Sequence, residues 1–320
     1  MTSTEFSQTA DQLPREGLLP IRTVSHLTGV NPVTLRAWER RYGLIKPIRT
    51  PKGHRLYALT DVELINQILI LLNNGMSISQ VGQVLHKDQP AGRQHAQVTD
   101  QEHDPWAGYR QRLIKAISRF DEWVLNQVYT EALSLYPIDV VTHRLIVPLL
   151  RELGERWQQG RCSVAEEHFF SVFMRNKLGA RFHHHNRDAR GPKLLAACLP
   201  EEQHEVGILL FALAALDHGY RIILLGANTP LNALPAVVEQ TTCHAVVLSG
   251  SQHTSLSVVE NELATLVQQI TVPVFVGGQV TALYPQELSV SGAIMLEEDF
   301  GSALRAIHGQ LRGVKNTLDR

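Results

Sequence analysis

Five short apolar runs, at 194–199, 222–225, 245–248, 272–276 and 293–296, punctuate the C-terminal part of the chain. Each is bounded by glycine, proline or polar residues, and stretches of helical pattern lie between them. Runs that are apolar without alternation are buried on both faces, and strands of that kind belong to parallel sheets covered by helices. The pattern predicts a doubly wound α/β domain over 189–320 with strand order 2-1-3-4-5. Sheets of this kind bind ligands beyond the carboxyl ends of their strands. There stands Glu202-Gln203-His204-Glu205-Val206-Gly207, which puts an acid, a histidine and a glycine on a strand-to-helix turn. From Gly207, 41 residues intervene before Ser249 and a further 27 before Gly277-Gly278, so these too follow strand ends.

At 320 residues the chain exceeds one ordinary core, and 44% hydrophobic with 19% charged residues is the balance of a soluble globular protein of two or three domains. The formal net charge of -1 conceals a basic segment. Between Arg22 and Tyr57 eight Lys and Arg stand against one acid, Glu39, a local +7 that suits phosphates. Val24, Leu27, Val30, Val33, Leu35 and Trp38 outline two short helices meeting at Gly29, with Asn31 as N-cap and Pro32 at the first helical position. That is a helix-turn-helix signature. Pro47, Pro51 and Gly53 break the next stretch into a β-wing, and Thr60-Asp61-Val62-Glu63 reads as a capping box opening a further helix. Crowded on the second helix and the wing are Thr34, Arg36, Arg40, Arg41, Lys52, His54 and Arg55, the expected contacts to double-stranded DNA. Trp38 and Tyr57 read as packing residues, with Tyr57 also within the span of a phosphate contact.

Residues 1–17 carry no periodic apolar pattern and read as a flexible tail; 18–88 form the DNA-reading domain, and 89–105, polar throughout, a linker. Over 106–188 apolar residues recur at helical spacing, from Leu113, Ile117 and Phe120 to Phe169, Phe173 and Leu178, enough for about four helices in a bundle. Ser163-Val164-Ala165-Glu166 is a second capping box. Cys162, Cys198 and Cys243 are far apart, without a C-x-x-C pair, and read as inert core residues in a reducing compartment. No basic-then-apolar leader and no membrane-length apolar run is present, so a cytoplasmic protein without membrane association is expected. His183-His184-His185 point in different directions from a helix and read as a solvated helix end.

The E-x-H-x-x-G motif, with Ser249 and Gly277-Gly278 at those distances, resembles the cobalamin-binding module of methionine synthase and the mutases, with Glu for their Asp. The resemblance implies that His204 ligates cobalt from the lower face and that Ser249, Gly277 and Gly278 line the base-tail pocket. Glu202 is placed to anchor the second ring nitrogen, and Gly207 lets the helix start beneath a bulky planar ligand. Ser251 stands where the family has leucine.

Thr34-Leu35-Arg36-Ala37-Trp38-Glu39-Arg40-Arg41-Tyr42-Gly43-Leu44, with Pro47, Arg49, Gly53 and Arg55-Leu56-Tyr57, resembles the DNA-binding domain of MerR-family regulators. Joined to a B12 module, it is similar to the CarH/LitR-type light-responsive repressors. Trp157 followed after nine residues by Glu167-His168 matches their hallmark for the upper face of adenosylcobalamin. The fold implied is a MerR-type winged helix-turn-helix, a four-helix bundle and a C-terminal flavodoxin/Rossmann-like parallel sheet. The function implied is adenosylcobalamin-dependent repression with light-sensitive binding of operator DNA, through a dimer and tetramer, and no catalysis. Light-sensing relatives can carry histidine just after the tryptophan, where this chain has Gln158. Two alternatives stay open on these residues. One is a MerR-like regulator that binds cobalamin without sensing light, or has lost it; the other is a corrinoid carrier for methyl transfer.

Overall fold

The computed structural model of the chain describes residues 17–86, 104–186, 189–251 and 254–318. Apart from residues 17, 104 and 105, the expected tail and linker lie outside them. The chain divides into two compact units, Met1–Glu167 and His168–Arg320.

In the first unit, β1 (Leu19–Pro20) leads into α1 (Ile21–Thr28), which Gly29 ends at φ 71°. Asn31 caps α2 (Pro32–Ala37), its Oδ1 accepting from the amides of Val33 at 2.8 Å and Thr34 at 3.0 Å. The helix widens into a turn over Trp38–Tyr42 and stops at Gly43, φ 62°. Strands β2 (Ile48–Arg49) and β3 (Arg55–Tyr57) form the wing, an antiparallel sheet in the order β1-β3-β2. Helix α3 (Leu59–Asn73) starts earlier than the expected box at Thr60. Its cap is Ala58, whose amide donates to the Asp61 carboxylate at 2.8 Å, and alanine has no side-chain acceptor to complete the exchange. Helix α4 (Ile78–His86) follows.

Helices α5 (Pro105–Ile117) and α6 (Glu122–Leu135), each opened by an aspartate cap, pack against one another. Helix α7 (Ile138–Val141) runs through a wide turn, Thr142–Ile146, into α8 (Val147–Gln158). Helix α9 (Val164–Asn186) opens on the expected box: Ser163 N–H donates to the Glu166 carboxylate at 2.7 Å, and Glu166 N–H to Ser163 Oγ at 3.2 Å. Within this unit α2 packs on α6. Thr34 Oγ1 donates to the Leu133 carbonyl at 3.1 Å and Trp38 Nε1 to the Leu135 carbonyl at 2.8 Å. Both acceptors lie in the last turn of α6, where carbonyls have no partner within the helix.

The second unit, beyond α9, alternates strand and helix: β4 (Lys193–Cys198), α10 (Val206–Asp217), β5 (Arg221–Gly226), α11 (Leu234–Thr241), β6 (Ala245–Ser249), α12 (Ala264–Gln269), β7 (Val274–Gly277), α13 (Val280–Leu283), α14 (Pro285–Ser291), β8 (Ile294–Met295) and α15 (Phe300–Leu318). The sheet is parallel throughout, in the order β5-β4-β6-β7-β8, which is the expected 2-1-3-4-5. Helix α10 is apolar nearly all round because it meets β4 and β5 on one side and α15 on another, with Phe211 edge-on to Phe300 at 6.2 Å. Leu195, Val246, Leu248, Val274 and Val276 build the core on the sheet's other face, with Leu234 from α11, Leu288 from α14 and Leu263 from the wide turn Val258–Leu263 that leads into α12. Cys162, Cys198 and Cys243 are all free and buried. No described helix is long and apolar enough to cross a membrane.

Candidate functional site

Three strand ends converge in the second unit. Cys198 is in register with Ser249, and Ser249 with Gly277, so the turns after β4, β6 and β7 emerge side by side. The turn after β4 carries Glu202 and His204. Glu202 is 1% exposed, and its Oε1 accepts from the backbone amide of His204 at 2.7 Å and lies 2.8 Å from its Nδ1. Its Oε2 accepts from the Ser251 amide at 2.6 Å, tying the β4 turn to the β6 turn. Burial alone would raise the Glu202 pKa, but the hydrogen bonds from His204 and Ser251 outweigh it and hold the group below 4.5. An ionised Glu202 accepts only, so Nδ1 carries the proton and Nε2 is the nitrogen through which the ring would bind a metal. The imidazole is 44% exposed, where its carboxylate partner is not.

Glycines shape the floor. Gly278 sits at φ 93°, and a Cβ there would fall onto the Gly250 carbonyl oxygen. At Gly250 a Cβ would stand 2.8 Å from both Leu199 and the Thr254 hydroxyl. Gly278 therefore has a local cause in the packing of two loop backbones, whereas a Cβ at Gly277 would make only ordinary contact with Leu296 at 3.6 Å. Gly207 lies beside Ser249, where a Cβ would make ordinary contact with the hydroxyl at 3.8 Å. Asn228, at φ 46° after β5, braces the turn: its Oδ1 accepts from Glu201 N–H at 2.9 Å, and its own N–H donates to the Glu202 carbonyl at 2.8 Å. Sequence reasoning passed over Asn228, although an Asn just after Gly226 at a strand end is the turn chemistry that signals a left-handed residue. These residues fit a cobalt macrocycle. They supply one oriented imidazole donor, and side-chain-free backbone at 250 and 278 beside it.

Trp157 lies in the last turn of α8 and is 41% exposed; Gln158 beside it is also exposed. Glu167 and His168 occupy the first turns of α9, Glu167 half-buried and His168 exposed. Arg175, farther along α9, reaches Glu205 at 3.5 Å, next to His204. His183, His184 and His185 are exposed at the end of α9.

On the DNA-reading side the structure sorts the expected residues into two groups. Arg36, Arg40 and Arg41 are exposed on α2 and its wide turn, and Lys52 and His54 on the wing. Thr34 and Tyr57 form the second group: both side chains are 0% exposed in the DNA-free chain. Thr34 lies on the flank of α2 that α6 covers, and its hydroxyl is spent on Leu133. Tyr57 lies in the core of the wing, where burial pushes its hydroxyl up to about 12. Arg55 is half-buried and held by Glu39, Nε to Oε2 at 2.5 Å, while Arg49 reaches the other oxygen of Glu39 at 2.6 Å. The one acid in the basic segment thus ties the wing to the turn after α2. Its pKa would rise on burial, but Arg55 and then Arg49 hold it below 4.5.

Residues 19–88 match the MerR HTH family regulatory proteins, and residues 109–181 and 192–307 match two B12 binding domain families. The chain is 33% identical over 268 residues to the HTH-type transcriptional repressor CarH of Myxococcus xanthus, covering 81% of this chain and 88% of that protein. The chain belongs to the CarH family of MerR-type regulators with B12-binding domains. It is a B12-binding, DNA-binding transcriptional regulator of that family, not an enzyme. A second CarH-family relative, the repressor CarA of the same organism, is 28% identical over 304 residues, 93% of this chain and 99% of its own length. The monomethylamine corrinoid protein of Methanosarcina barkeri covers 63% of the chain and 97% of its own, with a TM-score of 0.52 at 17% identity, a likeness of fold. The CarH-family assignment sets aside the corrinoid-carrier alternative.

Proposed function

We propose that this chain is an adenosylcobalamin-dependent, light-responsive repressor whose cofactor controls its assembly and hence its hold on operator DNA. The observation that carries the proposal is the His204–Glu202 pair at the carboxyl ends of the strands, an exposed imidazole whose Nδ1 lies 2.8 Å from a buried carboxylate. His204 would hold cobalt, Glu202 would fix its ring, and the glycine floor would let backbone approach the cofactor. Bound adenosylcobalamin supplies a cobalt–carbon bond that light breaks. Trp157 would shield the organic group on cobalt from water and Glu167 would accept a hydrogen bond from it, so a bulky adenosyl group would be preferred over a methyl group. His168 would line the same environment. Assembly into dimers and a tetramer multiplies the DNA-reading domains per particle, so occupancy changes without any altered base contact. Repression follows from occupying the operator.

Gln158 offers a carboxamide, a weak donor to cobalt, where some light-sensing relatives offer an imidazole. The illuminated protein is therefore expected to release cobalamin more readily than a Gln158→His variant. The deciding measurement is an absorption spectrum of the chain with adenosylcobalamin in the dark and after green light, with a sizing column run on both. The dark form should be larger with adenosylcobalamin than with methylcobalamin, and Trp157→Ala should abolish that difference while retaining cobalamin. Equal size in dark and light would identify a cobalamin-binding regulator that ignores light.

A further inference from the structure

In the first unit the DNA-reading helix is clasped along one flank. Around α2 and its wide turn, Leu35 and Trp38 face the core of the winged domain, Val33, Arg36 and Arg40 face solvent, and Thr34 and Ala37 are buried between these arcs. The last turn of α6 covers that third arc, with Thr34 Oγ1 on the Leu133 carbonyl and Trp38 Nε1 on the Leu135 carbonyl. Two donors of the reading helix thus satisfy two carbonyls that α6 cannot satisfy itself. A helix with its side chains is about 10–12 Å across, and the major groove of B-DNA is about 12 Å wide. A reading helix that fills the groove has both flanks against the groove walls, so the strip held by α6 is the strip a sugar–phosphate backbone must occupy.

We propose that the end of α6 is an intramolecular clamp on the reading helix, competing with duplex DNA for the flank that carries Thr34. In the clamped form the arginines remain displayed and steer the chain to DNA, but full insertion requires α2 to leave α6. Duplex affinity is then lowered by the fraction of chains that are clamped, whichever cobalamin is bound. The inference goes beyond the proposed cofactor response and stands if that response fails.

The test uses the full chain and a duplex that wild-type protein selects from a randomised pool. Leu133→Glu lies outside the DNA-reading domain and places a carboxylate at the carboxyl end of α6, where the helix dipole disfavours it. Both main-chain acceptors stay in place, but the last turn that presents them is weakened, and the variant is expected to bind the selected duplex about two- to fivefold tighter, the factor for an acid set against a helix carboxyl end. Wild-type or weaker affinity overturns the proposal. A second readout needs no altered side chain in the clamp. With 5-fluorotryptophan incorporated, the Trp38 resonance, identified by its loss in Trp38→Phe, should move when the wild-type chain is saturated with duplex, because its indole N–H gives up Leu135. An unmoved resonance at saturation overturns it.

Discussion

Replacing His204 with alanine removes the ring that Glu202 orients, yet Glu202 keeps the amides of residue 204 and Ser251 as donors, so the turn should survive. His204→Ala is therefore expected to fold and to lose the spectral signature of a protein nitrogen on cobalt. Glu202→Gln keeps the ring but loses the acceptor charge, and cobalamin affinity should fall about 10–100-fold, the usual loss when a ligand's orienting partner is changed. Titration of each variant with cobalamin, followed by absorption, checks both; wild-type affinity in Glu202→Gln would detach the pair from the cofactor. Tyr57 makes the opposite case. Its hydroxyl is buried and, among the described residues, has no hydrogen-bond partner. Removing an unsatisfied buried group costs nothing, so Tyr57→Phe should be neutral or stabilising by about 1 kcal/mol in denaturant unfolding. A loss of stability would reveal a partner for that hydroxyl.

Among the elements, the wing and the turn after α2 are joined by Glu39 through Arg55 and Arg49. Its pKa in the folded chain lies below 4.5, so the stability it contributes is complete above that value and is lost as pH falls through the folded value. Glu39→Gln should cost about 1–2 kcal/mol at neutral pH and flatten that part of the acid limb, measured by unfolding at pH 7 and below pH 4.5. An unchanged acid limb would mean the wing is held by packing alone. Much of this architecture was legible in advance. Unbroken apolar runs mark strands buried on two faces, and the strand order and the position of His204 at a strand end follow from them. The burial of Thr34 was not legible, and that of Tyr57 was legible only as packing, for a common reason: polar atoms near a basic cluster look like DNA contacts until the neighbour that covers them is known. Nothing in the spacing of α2 announces that α6, nearly a hundred residues on, will cover its flank. Asn228 and the second acceptor role of Glu202 were hidden likewise, because both act on loops that only the sheet brings together.

For the whole molecule, charge is distributed by task. A chain of formal net charge -1 gains nothing from general attraction to nucleic acid, so its affinity rests on the local +7 between Arg22 and Tyr57. Arg36→Ala should weaken binding to a selected duplex and lower the slope of log affinity against log salt by about 1 if the guanidinium meets a phosphate. Weakened binding with the wild-type slope and relaxed sequence preference would assign Arg36 to a base instead. The cysteines give the molecule another property. Burial pushes the Cys198 thiol up to about 12 and raises Cys162 and Cys243 as well, so none offers a thiolate at neutral pH. The folded chain should be silent toward alkylating dyes and mild oxidants, and a single cysteine introduced on its surface can be labelled without removing the native ones. Unfolding exposes all three, so the count of thiols modified over time becomes an internal clock of how often each unit opens.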